Sequence, residues 1–247
     1  MNTNLWIREQ SINPNARLRL FCFPYAGGAA PIFRTWDQHL PASINVCPVH
    51  LPGRATRIRE KPFTNLENLV QAFLPSLQPC LDKPFAIFGH SMGSLIAYEV
   101  TKQLHQQGNL MPTYLLVSGR RAPYLPDPEM QLHTLPNDEL FLKELRHRYD
   151  NVPDAIFDDA ELRALFLPLL RADFTLVETY QSSKEALLPC PIIAFGGQSD
   201  SRASQAELMA WKELTQSDFD VHLFPGGHFY LNEQAPSLLQ IINGYLS

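Results

Sequence analysis

Gly89-His90-Ser91-Met92-Gly93 is a G-x-S-x-G pentapeptide set between an apolar run with strand character, Phe85-Ala86-Ile87-Phe88, and a run with helix character from Ser94 to Val100. A serine on a sharp strand-to-helix turn takes up strained backbone angles, and small residues two positions to either side let the chain pass itself. Such a turn sets Ser91 at a helix N-terminus. Free N–H groups and the helix dipole there favour the negative charge that grows on a carbonyl oxygen during acyl transfer. The chemistry implied is that of a serine hydrolase.

A serine hydroxyl is a weak nucleophile at neutral pH, so Ser91 needs a neutral histidine to take its proton and an acid to hold that histidine's tautomer. Eight histidines compete. His90 lies inside the elbow, His222 within a strand, and His105, His133 and His147 on helices or in an insertion. His228 follows the last strand directly, in Phe224-Pro225-Gly226-Gly227-His228-Phe229. Open α/β sheets place their sites at such strand ends, so His228 is the expected base. Asp200 leaves the preceding strand in the same manner, in Gly196-Gly197-Gln198-Ser199-Asp200, and is the expected acid. Asp150, Asp154, Asp158 and Asp159 read instead as solvated charges and helix caps. An oxyanion hole needs two backbone N–H groups. Met92 follows the nucleophile and supplies one. The second is assigned to Ala26, in the glycine-rich Phe23-Pro24-Tyr25-Ala26-Gly27-Gly28 after the first strand, with Tyr25 and Gly27 as open alternatives.

These residues require a scaffold of parallel strands. Apolar runs near 18–23, 45–50, 85–88, 113–118, 191–195 and 219–224 alternate with amphipathic stretches, the pattern of an α/β fold with a mostly parallel sheet covered on both faces. Leu66, Leu69, Val70, Phe73 and Leu77, and Leu95, Ile96, Val100 and Leu104, recur at helical spacing, and a last helix follows Asn232. The alternation breaks once. About seventy residues after Ser118 hold no strand pattern but carry two amphipathic helices, one with Leu140, Phe141, Leu142 and Leu145, the other with Leu162 to Phe174 and interrupted by Pro168. This insertion, about 122–188, is expected to form a helical lid that shapes an apolar acyl pocket and opens and closes over it.

With 247 residues, 45% hydrophobic and 18% charged, the chain suits a single α/β domain over 1–247. A net charge of −5 argues against non-specific nucleic-acid binding. Cys22, Cys47, Cys80 and Cys190 form no C-x-x-C pair, so neither a disulfide framework nor a metal site is expected. Met1 to Glu9 lack the order of a signal peptide and no apolar run reaches the ~20 residues that span a bilayer; a cytoplasmic monomer is expected.

The motifs together resemble a family, the type II thioesterases that accompany nonribosomal peptide and polyketide synthetases, with the medium-chain acyl thioesterases of fatty acid synthesis as close relatives. The matches run in order along the chain: Phe23 to Gly28, Leu51-Pro52-Gly53-Arg54, Gly89 to Gly93, Ser118-Gly119-Arg120-Arg121-Ala122-Pro123, Leu170-Arg171-Ala172-Asp173-Phe174, Gly196 to Asp200, and Gly226-Gly227-His228-Phe229. One small departure is Ala29-Ala30, where a serine often follows the second glycine. The resemblance implies an α/β-hydrolase fold, no cofactor, and an acyl group carried on the phosphopantetheine arm of an acyl or peptidyl carrier protein as substrate. Carrier proteins are generally acidic, which makes Arg54, Arg57, Arg59, Lys61, Arg120 and Arg121 candidates for contact with the carrier or the arm's phosphate. Alternatives sharing the triad are a fatty-acid-type thioesterase, a general esterase and an acyltransferase. The intact trio makes a non-catalytic scaffold the poorest reading.

Overall fold

The computed structural model describes residues 4–8, 11–108, 110–149, 154–182, 184 and 187–247. Asp150, and the parts of the insertion and opening segment outside those ranges, are not among them. Six strands, β1 (Leu18–Phe23), β2 (Ile44–Pro48), β3 (Phe85–His90), β4 (Leu115–Ser118), β5 (Ile192–Gly197) and β6 (Phe219–Phe224), form one sheet in the order β2-β1-β3-β4-β5-β6. Every pairing is parallel. The strands read as apolar runs because both faces are covered. On β1, Phe21 and Phe23 enter the core on one face, while Leu18, Leu20 and Cys22 enter the core on the other. The helices α1 (Leu66–Leu77) and α2 (Met92–Gln106) supply the first core, and α7 (Ala235–Leu246) much of the second.

The chain leaves β1 toward β2 on one side and returns to β3 on the other, so the strand order reverses at β1. Parallel sheets open a crevice beyond the strand ends at such a switch point. The loop after β1 and the elbow after β3 meet there.

Between β4 and β5 the chain builds α3 (Asp138–Arg148), α4 (Asp154–Asp158) and α5 (Ala160–Thr179). Leu142, Leu145, Ile156, Leu167, Leu170 and Phe174 bury one another in a separate apolar cluster, against which Ala26 packs. Asn137 and Asp159 cap α3 and α5 by accepting their free N–H groups. Pro168 does not interrupt α5, contrary to the sequence expectation; the helix runs from Ala160 through Thr179. Proline removes one helix hydrogen bond, and the apolar contacts of Leu167 and Leu170 on either side hold the segment in register. A short helix, α6 (Gln205–Met209), follows β5 behind a capping box at Ser204 and Glu207.

Candidate active site

The elbow sits where β3 hands over to α2. Ser91 has φ 54° and ψ −112°, and is the N-cap of α2. Its flanking glycines are fixed by backbone contact. A Cβ on Gly89 would lie 2.0 Å from the Gly93 carbonyl oxygen, and one on Gly93 would lie 2.2 Å from the Phe23 carbonyl oxygen of β1. Any side chain at either place would force β1, β3 and α2 apart. The strained turn is braced by the Ser91 N–H, which donates to the Ser118 carbonyl at 2.7 Å, and by Ser94 Oγ, which donates to the carbonyls of Gly89 and Ser118.

Asp200 and His228 come from the loops after β5 and β6. His228 Nδ1 donates to Asp200 Oδ2 at 3.0 Å, and Oδ1 of the same carboxylate accepts the Arg202 N–H at 2.8 Å. An ionised carboxylate only accepts, so the proton sits on Nδ1 and Nε2 presents its lone pair. Nε2 is buried without a hydrogen-bond partner among the described residues, and His228 and Ser91 line one cavity of about 40 Å³. Its remaining wall is Tyr25 and Ala26 from the loop after β1, Arg120 after β4, Leu145 and Tyr149 at the end of α3, Leu170, Phe174 and Val177 from α5, and Phe229. Larger hollows exist, of about 440 and 640 Å³, and neither includes Ser91 or His228.

Aromatic rings hold the histidine in place. The His228 ring is met edge to face by Phe229, with centroids 5.0 Å apart, and by Tyr149, with centroids 5.6 Å apart. Behind it, His90 is fully buried, with its Nδ1 hydrogen-bonded to Ser118 Oγ at 2.8 Å. Burial, with His228 nearby, holds the His90 imidazole well below its ordinary pKa. His90 therefore stays neutral and places no cation beside His228.

Met92 N–H lies at the start of α2, beside Ser91. In the loop after β1, Gly27 N–H donates to Asp173 Oδ2 at 2.7 Å and Gly28 N–H to the Tyr25 carbonyl at 2.9 Å. Gly27 is thereby spent elsewhere, while Ala26 faces the cavity.

The arginines divide differently from the sequence reading. Arg54 is 4% exposed and pairs with Asp173 through two 2.8 Å bonds. Arg57 is buried, held by Glu60 at 2.7 and 2.5 Å and by the His50 carbonyl, with its guanidinium 4.4 Å over the Trp6 ring. Arg121 is buried against Asp127 and Glu207. These three serve internal structure and leave the surface set, because desolvated guanidinium groups take carboxylate partners within the fold. Arg59 and Lys61 are exposed. Arg120 is partly buried at the cavity wall, and burial draws its pKa below the ordinary value.

Asp173, quoted in the Leu170–Phe174 motif but given no role by the sequence, is buried against the loop after β1 and Arg54. Its signal was present: a carboxylate within the apolar stripe Leu169, Leu170, Phe174 and Val177 of one helix. Among the described residues, no group of three or more His, Cys, Asp or Glu is placed to hold a metal ion, and no helix is long and apolar enough to cross a membrane.

A thioesterase domain family model matches residues 18–246. The gramicidin S biosynthesis protein GrsT of Aneurinibacillus migulanus is 41% identical over 239 residues, covering 97% of this chain and 93% of that protein. Among solved structures, the RedJ thioesterase from the prodiginine pathway of Streptomyces coelicolor is 38% identical with a TM-score of 0.85, covering 93% of this chain and 86% of that one. The type II thioesterase BorB from the borrelidin biosynthetic cluster is 34% identical with a TM-score of 0.85, covering 100% and 98%. A serine elbow, a histidine held by a buried aspartate, and likeness to these proteins over nearly the whole chain agree: this protein belongs to the thioesterase family, as a type II thioesterase with an α/β-hydrolase fold.

Proposed function

We propose that this enzyme removes short acyl groups from the phosphopantetheine arm of carrier proteins in nonribosomal peptide or polyketide synthesis, with Ser91 as nucleophile, His228 as base and Asp200 as its orienting acid. The observation that carries the reading is the cavity of about 40 Å³ in which Ser91 and the lone-pair nitrogen of His228 meet an apolar lid wall. Ser91 Oγ attacks the thioester carbon and passes its proton to His228 Nε2, while the carbonyl electron pair moves onto the oxygen. The N–H groups of Met92 and Ala26 receive that oxyanion. Collapse of the intermediate expels the arm's thiolate, which takes the proton from the imidazolium. Water activated by His228 then repeats the sequence on the acyl-serine, releasing the acid.

A thiolate leaves readily, so selectivity rests on the cavity and the docking surface more than on activation. The small cavity favours acetyl-sized groups, the kind left by mispriming of an assembly line. Exposed Arg59 and Lys61 are the residues of the basic set free to meet an acidic carrier. Arg120, at the cavity wall, is placed to meet the arm. The lid helices α3 and α5 open to admit the acyl group and close over it. The protein acts as a cytoplasmic monomer without a cofactor.

The test is single-turnover release of acetyl from a phosphopantetheinyl carrier beside acetyl on a small free thiol, with Ser91→Ala as control. Preference for the carrier that vanishes in the variant supports the reading; equal or better use of the free thioester moves the assignment to a general esterase.

A further inference from the structure

Asp173 gathers three segments at one carboxylate. Its Oδ2 accepts the Gly27 N–H at 2.7 Å and Arg54 Nη1 at 2.8 Å, and its Oδ1 accepts Arg54 Nη2 at 2.8 Å. Arg54 also donates to the carbonyls of Pro52 and Gly28, both at 3.2 Å. Lid helix α5, the loop after β1 and the loop after β2 are thus tied together one residue from Ala26. Both side chains are almost wholly enclosed.

The loop itself explains what this tie does. Tyr25 to Gly28 is a turn closed by the Gly28 N–H on the Tyr25 carbonyl, with Gly27 at φ +74° in its third position. That is the mark of a type II turn, whose middle peptide, Ala26 to Gly27, can flip to the type I arrangement. An ionised carboxylate beside that peptide attracts its N–H and repels its carbonyl. Asp173 therefore fixes the orientation of that middle peptide, made of the Ala26 carbonyl and the Gly27 N–H, and so the conformation of the turn whose preceding peptide carries the Ala26 N–H. Arg54 cancels the carboxylate's charge, which would otherwise oppose the oxyanion forming nearby.

We propose that Asp173 and Arg54 are positioning residues of the oxyanion hole, through which lid helix α5 holds in place the turn that carries the Ala26 N–H. The proposal rests on the acyl-serine reading above but not on the identity of the acyl donor. Displacing a donor by about 1 Å costs up to ~100-fold in rate, so Asp173→Leu should lower kcat roughly 10- to 100-fold with KM changed less than about threefold.

The decisive comparison is Asp173→Leu with the double variant Arg54→Met/Asp173→Leu. Replacing both members of a buried ion pair with apolar groups often restores stability lost on removing one. The Gly27 N–H stays without its carboxylate in both. Melting temperature, kcat and KM are measured together with the affinity for an acyl trifluoromethyl ketone, whose Ser91 adduct bears the oxyanion. The inference expects the double variant to regain melting temperature while kcat and ketone affinity stay low and fall in parallel. Recovery of kcat with melting temperature, a rise confined to KM, or an unchanged ketone affinity would each overturn it. Should Asp173→Leu fail to fold, the double variant, which leaves no buried charge unpaired, is read by the same parallel fall in kcat and ketone affinity. A free short-chain thioester serves as substrate alongside the carrier: wild-type enzyme active on the former alone refutes the carrier reading, whereas variants matching wild type on both refute this one.

Discussion

Phe174 is the residue whose truncation should most change which acyl groups are accepted. It lies in α5 at 6% exposure, packs edge to face on Phe141 with centroids 5.9 Å apart, tilts against Tyr149 at 5.6 Å, and lines the cavity that holds Ser91 and His228. Phe174→Ala removes a benzene ring, about the room of three or four methylenes, beside a cavity of about 40 Å³. Each methylene buried is worth about 0.8 kcal/mol, roughly fourfold in kcat/KM. The preference for hexanoyl or octanoyl over acetyl should therefore rise about 60- to 200-fold relative to wild type. The same change costs about 3–5 kcal/mol of stability, so Phe174→Leu is the gentler partner, with a smaller shift in the same direction. The assay is kcat/KM across acetyl, butyryl, hexanoyl and octanoyl pantetheine thioesters. A chain-length profile in Phe174→Ala parallel to wild type would refute the assignment of this wall to the acyl group.

Asp200→Asn leaves His228 without an acceptor-only partner on Nδ1 and should lower kcat by about 10³- to 10⁴-fold with little change in KM, measured in steady state. Reversing charge at Arg59 and Lys61 should raise KM for an acyl carrier but not for a free thioester, an effect that shrinks with added salt; equal change on both substrates contradicts a carrier-facing role. Burial, with Arg8 and Arg57 nearby, holds His50 down at about 4. The folded state thus binds fewer protons here than the unfolded chain, whose histidine titrates near 6.5. Its contribution to stability is whole above about pH 6.5 and is lost as pH falls toward 4. Thermal melts of His50→Gln should show a shallower decline over that window; an identical slope refutes the attribution.

The sheet was legible because parallel strands covered on both faces leave unbroken apolar runs, and all six runs became strands with ends shifted by at most a few residues. The convergence of Ser91, Asp200 and His228, the proposed triad, has a related reason: each follows a strand directly, and a parallel sheet delivers all such loops to one edge. Side-chain destinations were less accessible. Arg54 looks in sequence like any loop cation, yet its place is set by Asp173, 119 positions away. Arg57 likewise is drawn inward by Trp6 and Glu60. The helix through Pro168 shows tertiary packing overriding a local signal that ordinarily ends a helix. Composition supplies charges; the fold decides which remain in water.

The central claim is that a carrier-borne acyl group passes through Ser91. Mixing the enzyme with an acetylated phosphopantetheinyl carrier, quenching with acid during the first turnover and mapping the peptides by mass spectrometry tests it directly. An acetyl group on the peptide containing Ser91, absent in Ser91→Ala and slow to appear in Asp200→Asn, is the predicted result. Turnover of the carrier thioester with no acyl group on Ser91 would contradict the account.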